Sequence, residues 1–287
     1  MELQLVCNAL LLGGVYALMG AGFSLQWGIS GIINLAYGAM VILGSYLSMV
    51  LFNTFHIDPF LGIPLSGAAL FIFGAAIYRG ILQPLSKGGM VFTLILTFAI
   101  RLILENVMLV LWSADYRTIR VAYGGVSFDF FGAHIPLVRL LAFVVAMITV
   151  YLLYLFMKKT KTGKGIQAVA LDRIGAQAVG IDIQRMYLVN FALGSALAGG
   201  AGALWASIYS FSPHLVGAVV GKVFIVAILG GLGNIWGAAA GGILLGIAET
   251  AGVSFFGAEW QESLGMVIMV AVLLWRPYGL LGKKFFA

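Results

Sequence analysis

Charge is scarce in this sequence: only 9% of its 287 residues are Asp, Glu, Lys or Arg. Cysteine is scarcer still. The single Cys7 excludes an internal disulfide and any Cys-based metal site. His56, His134 and His214 lie far apart in the chain, so no metal or redox cofactor is expected. There is no HExxH, no GxSxG and no phosphate-binding GxxxxGK[ST]. "TGKG" at Thr162 to Gly165 misses that last spacing, and no strand precedes it. Acidic residues number 10, mostly in loops or near the ends of apolar runs. No acid/base pair or activated nucleophile emerges, which leaves an integral-membrane enzyme poorly supported.

What the chain has instead is apolar length. Hydrophobic residues make up 62% and mean hydropathy is +1.08, well above an ordinary globular domain. Runs of about 18 or more apolar residues recur, each able to cross about 30 Å of hydrocarbon as a helix. The alternating segments of about 10 residues that mark a β-barrel are absent. The expected fold is therefore an all-α polytopic membrane protein, one transmembrane domain over 1–287.

Spans are expected near Leu3–Trp27, Ile32–Phe52, Phe60–Tyr78, Met90–Trp112, Ile135–Met157, Tyr187–Tyr209, Leu215–Leu232, Ile235–Val253 and Leu264–Leu281. Asp58-Pro59, Pro84, Pro136 at a helix's first position, and Ser212-Pro213 punctuate them. The seventh is short and carries Lys222, so it reads as a full crossing or as a broken or re-entrant helix. The count is then nine or eight. The first run has no basic region before it and reads as a retained helix, not a cleaved signal.

The net charge of +6 comes from connections between spans. It is what the positive-inside rule predicts, and no nucleic acid is implied. Arg79–Lys87, Lys158–Arg185 and the tail with Arg276, Lys283 and Lys284 belong in the cytoplasm. The Asn53–Asp58 and Ser113–His134 connections and the N-terminus belong outside. "GIINLAYGAMVILGSYL" and "GAVVGKVFIVAILGGLG" share small-residue spacing, so an inverted repeat is expected, the fifth span lying between two four-helix halves.

The 39 glycines fall largely inside spans, where small residues let helix backbones approach. Gly233, Gly237 and Gly241 recur every fourth residue along one expected face, and Gly194–Leu204 repeats the pattern. Such stretches serve tight packing, or close packing around a moving path. Arg101 and Glu105 stand at i,i+4 in the fourth span, as a structural ion pair or a gating pair. Lys222 and Glu249 are candidates to pair with each other or to contact a solute, and Lys222 is also placed to snorkel. Asn34 and Tyr37 follow the "GISG" break. Translocation-path candidates are Asn34, Tyr37, Gly38, Lys222, Gly230, Gly231 and Glu249.

Between Lys158 and Arg185 the chain carries six basic residues against two acidic. Ile166, Val169, Ala170 and Ile174 fall near one helical face, and Gly180 is a stop signal. The spacing predicts a helix across the membrane surface, either an anchor to anionic lipid or a docking element for a soluble partner.

"TKTGKGIQAVALDRIGAQAVGID" and "GKVFIVAILGGLGNIWGAAAGGILLGIAE", with "GISGIINLAYG", "LILEN" and "RPYGLLG", make the chain similar over nearly its whole length to permease subunits of branched-chain amino acid ABC importers. The resemblance implies that 158–185 is a cytoplasmic coupling loop fitting an ATPase groove, through Gly163, Ala168, Asp172, Ala176, Gly180 and Asp182. It implies two ATPase subunits carrying ATP and magnesium, a second permease subunit, identical or homologous, and a periplasmic or external binding protein. It implies a multi-pass place in the cell inner membrane, with lipid around it and no cofactor in this chain. The family often has "NFAHGE" where this chain has "NLAYGAM". Tyr37 for histidine and Ala39 for an acid leave open urea, amides and other carboxylates beside amino acids. The competing reading is a self-sufficient secondary transporter or channel using Arg101, Glu105, Lys222 and Glu249 to couple an ion.

Overall fold

The computed structural model describes residues 2–85, 89–130 and 133–282; Lys87, Lys283 and Lys284 lie outside the described residues. Nine helices among the described residues are long and apolar enough to cross a membrane. They are α1 (Glu2–Ser30), α2 (Tyr37–Phe55), α3 (Pro59–Ile77) continued by a π turn (Tyr78–Leu82) into α4 (Gln83–Leu85), α5 (Gly89–Trp112), α6 (Leu137–Lys159), α9 (Ile183–Ile208), α10 (Val216–Gly230) with the 3-10 turn Pro213–Leu215 before it, α11 (Ile235–Phe256), and α12 (Gln261–Trp275) with the 3-10 turn Ala258–Trp260 before it. Two short helices, α7 (Lys161–Leu171) and α8 (Arg173–Ala178), fill the link from α6 to α9. A hairpin, β1 (Ser127–Phe130) antiparallel to β2 (Ala133–Pro136), precedes α6. Pro136 therefore closes a strand and caps α6 without entering it.

The halves repeat. α1 packs along α11 as α9 packs along α3; α2 lies on α9 as α10 lies on α1; α2 meets α5 as α10 meets α12. Each element is exchanged for the one five spans later, and an odd offset reverses its sense, so the packing has the form of an inverted repeat. Missing side chains make the contacts. A Cβ on Gly246 would strike the Ala9 carbonyl and Gly13, and one on Gly202 the Val41 carbonyl and Ser45. Backbones at that distance gain dispersion contact and bury almost no polar surface, which suits helices that have no water to expel.

Two ends follow. The basic end holds the C-terminus of α1, the α6–α9 link and the α10–α11 turn, around a cavity of about 400 Å³. At the hairpin end, Gln4 and His134 exchange two hydrogen bonds of 2.8 and 2.6 Å. There Arg117 pairs with Phe211, and Asp58, which caps α3, accepts from Tyr123 at 2.6 Å. Burial and that hydrogen bond push the Tyr123 phenol well above its ordinary range, so it stays a donor.

Candidate functional site

The chain leaves α1 at Gly31, whose φ of +68° suits a residue without Cβ, and stays non-helical to Ala36. α2 thus begins at Tyr37, five residues later than the apolar run suggests. Backbone groups inside a membrane must find partners where a helix ends, and several do here. Asn34, fully buried, accepts from the Ala36 amide at 3.1 Å and donates to Gln26 at 3.0 Å. Gln26 donates to the Phe191 carbonyl at 2.7 Å. Thr97 on α5 takes the Ile33 carbonyl and the Leu35 amide, at 3.0 and 3.2 Å. Tyr37 is buried edge-on against Phe23 at 5.5 Å, Gly38 sits against Val216 and Val220, and Ala39 is fully buried. This break is a packed joint between α1, α5, α9 and α10.

Lys222 and Glu249 form a buried ion pair, their side chains 10% and 1% exposed. Lys222 therefore does not snorkel. Glu249 also accepts from Tyr16 at 2.6 Å and from Gln261 at 3.1 Å, and Lys222 donates to Tyr16 at 3.2 Å. The carboxylate has its partners on α1, α10 and α12, three elements of different sequence neighbourhoods. Glu249 also reaches a hairpin-end cavity of about 440 Å³ beside Arg139, Asn8 and Tyr209. Gly230 and Gly231 line neither cavity. They form the α10–α11 turn, where the chain after α12 docks: Leu280 donates to Leu229 at 2.8 Å and Leu281 to Gly230 at 3.2 Å. Gly233 belongs to that turn and packs on Gly28, so only Gly237 and Gly241 of the expected glycine face are helical, both against Gly230.

Arg101 and Glu105 sit midway along α5, Nε to Oε2 at 3.7 Å, side chains 23% and 20% exposed.

The basic link departs from a single helix. Asp172 is extended and its side chain accepts from the Ile174 amide at 2.9 Å, ending α7 and capping α8. A short acceptor beside its own backbone outcompetes the apolar period. Ile166 and Val169 are buried on the α7 side of the break, while Ile174, expected with them, is turned out. Leu171, Ile174 and Val179 are 79%, 82% and 77% exposed. Asp182 caps α9 through the Arg185 amide at 3.1 Å. Gly180, at φ +84°, lets the chain reverse after α8. Gly163 abuts Phe156 and Met157 at the end of α6, where a Cβ would collide with backbone. Ala176 is buried, Ala168 half-buried and Asp172 exposed. The link is thus packed against α6 and α9 while presenting three apolar side chains.

Tyr16, Gln26, Thr97 and Gln261 join these sites without being singled out by the sequence reading. Polar side chains inside apolar runs are the signal that finds Gln26 and Thr97; nothing local points to Tyr16 or Gln261.

Repeated halves and intramembrane charge are features of multi-pass membrane transport subunits. A family model described as "Branched-chain amino acid transport system / permease component" matches residues 5–274, and the chain belongs to that family. It is 30% identical over 296 residues to the high-affinity branched-chain amino acid transport system permease protein BraD of Pseudomonas aeruginosa, covering 98% of this chain and 96% of that one. It is 30% identical to LivH of Escherichia coli K12, covering 98% and 96%. It is 25% identical to LivM of the same organism, covering 93% of this chain and 68% of LivM. No solved structure matches.

Proposed function

We propose that the chain is one permease subunit of an ATP-driven importer that carries a branched-chain amino acid across the inner membrane. A second permease subunit, identical or LivM-like, completes the path. Two ATPases carrying ATP and magnesium bind the basic end, and an external binding protein meets the hairpin end. In that orientation the N-terminus is outside and the C-terminus cytoplasmic. The observation that carries the reading is the α7–α8 link: a shelf fixed to two spans, with Leu171, Ile174 and Val179 exposed where a solvent-facing surface would shed them. A soluble partner pressing on it would move α6 and α9 together.

Tyr37 and Ala39, the departures from the family's common motif, are buried in packing. They therefore give no reason to move the solute to urea, amides or other carboxylates. Against a self-sufficient ion-coupled carrier stands the mutual neutralisation of Lys222 and Glu249, which leaves neither free to bind an ion.

Asp172 caps α8, so its replacement mixes folding with docking; Ile174 separates the two. In proteoliposomes holding both permeases, both ATPases and the binding protein, Ile174→Glu should abolish ATP-dependent leucine uptake while the permease keeps its melting temperature. Unchanged uptake would refute docking at this shelf.

A further inference from the structure

α5 is buried along one line only, at Thr93, Thr97, Ile100, Leu104 and Met108, while most of its other side chains are exposed. Arg101 and Glu105 stand beside that line. Arg101 is the thirteenth of 24 residues, which puts it about 18 Å from the start of α5, near the centre of a layer about 30 Å thick. Lipid headgroups do not reach there, and a charge facing acyl chains at that depth is strongly disfavoured. This stretch of α5 therefore faces protein or a water-filled path.

The pair is loosely made. At 3.7 Å Arg101 Nε and Glu105 Oε2 are beyond hydrogen-bond reach, and Nε, itself buried, has no hydrogen-bond partner among the described residues. Across from Arg101 lies Gly217 of α10, where an added Cβ would come within 3.2 Å of Arg101 Nη2. One turn further, Gly221 has nothing within 4 Å of where its Cβ would be. A strip of backbone with little side-chain cover therefore leads from Arg101 toward the basic end, beside a charge pair whose members do not fully satisfy each other.

We infer that Arg101 and Glu105 recognise the zwitterionic headgroup of an α-amino acid on its way along the Gly217–Gly221 strip, at the face that the second permease subunit closes. This deepens the importer reading and rests on it. A guanidinium presents a planar fork of donors that matches a carboxylate, and Glu105 accepts an ammonium. In the amino acid these two charges sit on adjacent carbons, so one solute spans the pair. Empty, the two side chains neutralise each other; filled, each exchanges a distant partner for a close one. A solute with only one of the two charges leaves one side chain uncompensated, which makes the pair a filter as well as a holder.

The test uses the reconstituted complex of both permeases, both ATPases and the binding protein. Arg101→Gln and Glu105→Gln should each lower tritiated leucine uptake by about tenfold or more while the complex assembles in the same yield. The discrimination should change in opposite ways. Arg101→Gln should admit 3-methylbutylamine, which lacks the carboxylate, relative to leucine, and Glu105→Gln should admit 4-methylpentanoate, which lacks the ammonium. In a Cys7→Ser background, the thiol introduced by Gly221→Cys should react with a charged trimethylammonium methanethiosulfonate, and leucine should slow that labelling only when Arg101 and Glu105 are both present. Uptake and discrimination unchanged in both Gln variants would overturn the inference, as would an introduced thiol inert to the charged reagent, or lost assembly with normal discrimination in whatever complex remains. If the wild-type complex itself takes up no leucine with ATP, the importer reading has failed instead.

Discussion

Among the described residues, two ion pairs stand inside the spans, and they are built differently. Lys222–Glu249 joins two helices, is almost fully buried, and is completed by Tyr16 and Gln261. Arg101–Glu105 lies within one helix, keeps about a fifth of its side-chain surface exposed and leaves a buried Nε unpartnered among the described residues. The first has its hydrogen-bond partners in hand, although Glu249 also borders the hairpin-end cavity. The second is under-satisfied on a face that this chain leaves partly uncovered. On the inference above, charge in this membrane protein serves two ends, and the completeness of hydrogen bonding is what separates them.

The sharpest way to break that comparison is to remove one member of the satisfied pair. Glu249→Ala leaves Lys222 buried without its counter-ion and should cost about 3–5 kcal/mol, enough to lose most folded permease from detergent extracts. The double variant Lys222→Met/Glu249→Leu should recover much of it, since no charge is then buried. Melting curves followed by size exclusion would decide; a single variant as stable as wild type would show that the pair is not structural. Tyr16→Phe is the milder form. It removes the phenol's hydrogen bonds to both Glu249 and Lys222 but leaves the ion pair in place, at a cost of roughly 2–3 kcal/mol, and should lower the melting temperature without loss of yield. The same melting curves check it.

Much of the fold was legible because hydropathy reports crossings directly: nine runs, and nine helices among the described residues. What the sequence hid was whatever depends on a contact between halves. Tyr16 and Glu249 are 233 positions apart, and no spacing rule joins them. The late start of α2 was hidden for a related reason. Residues 32–36 are as apolar as a helix, and only Thr97, from another span, shows how their backbone does without one. In the basic link, the apolar period holds up to Leu171, but Asp172 had two local options, helix interior or cap, and took the cap. The role of Arg101 and Glu105 was left undecided by their i,i+4 spacing, because spacing makes a pair and says nothing of how well it is closed.

The smallest expected effect on the fold is the most telling. Arg101→Gln removes a contact of 3.7 Å without a hydrogen bond, on a helix face that stays partly open. If this face lines a water-filled path, as inferred, Glu105 keeps its hydration when Arg101 is gone. The loss should be about 1 kcal/mol or less, the scale of a solvent-screened pair, and the melting temperature should move by no more than a few degrees. Set beside Glu249→Ala under the same conditions, the two variants should separate cleanly, one failing as a folded protein and the other failing only as a carrier. If Arg101→Gln instead melts as early as Glu249→Ala, the two pairs do the same work, and the open face of α5 is a packing surface whose closure by the second subunit holds the fold.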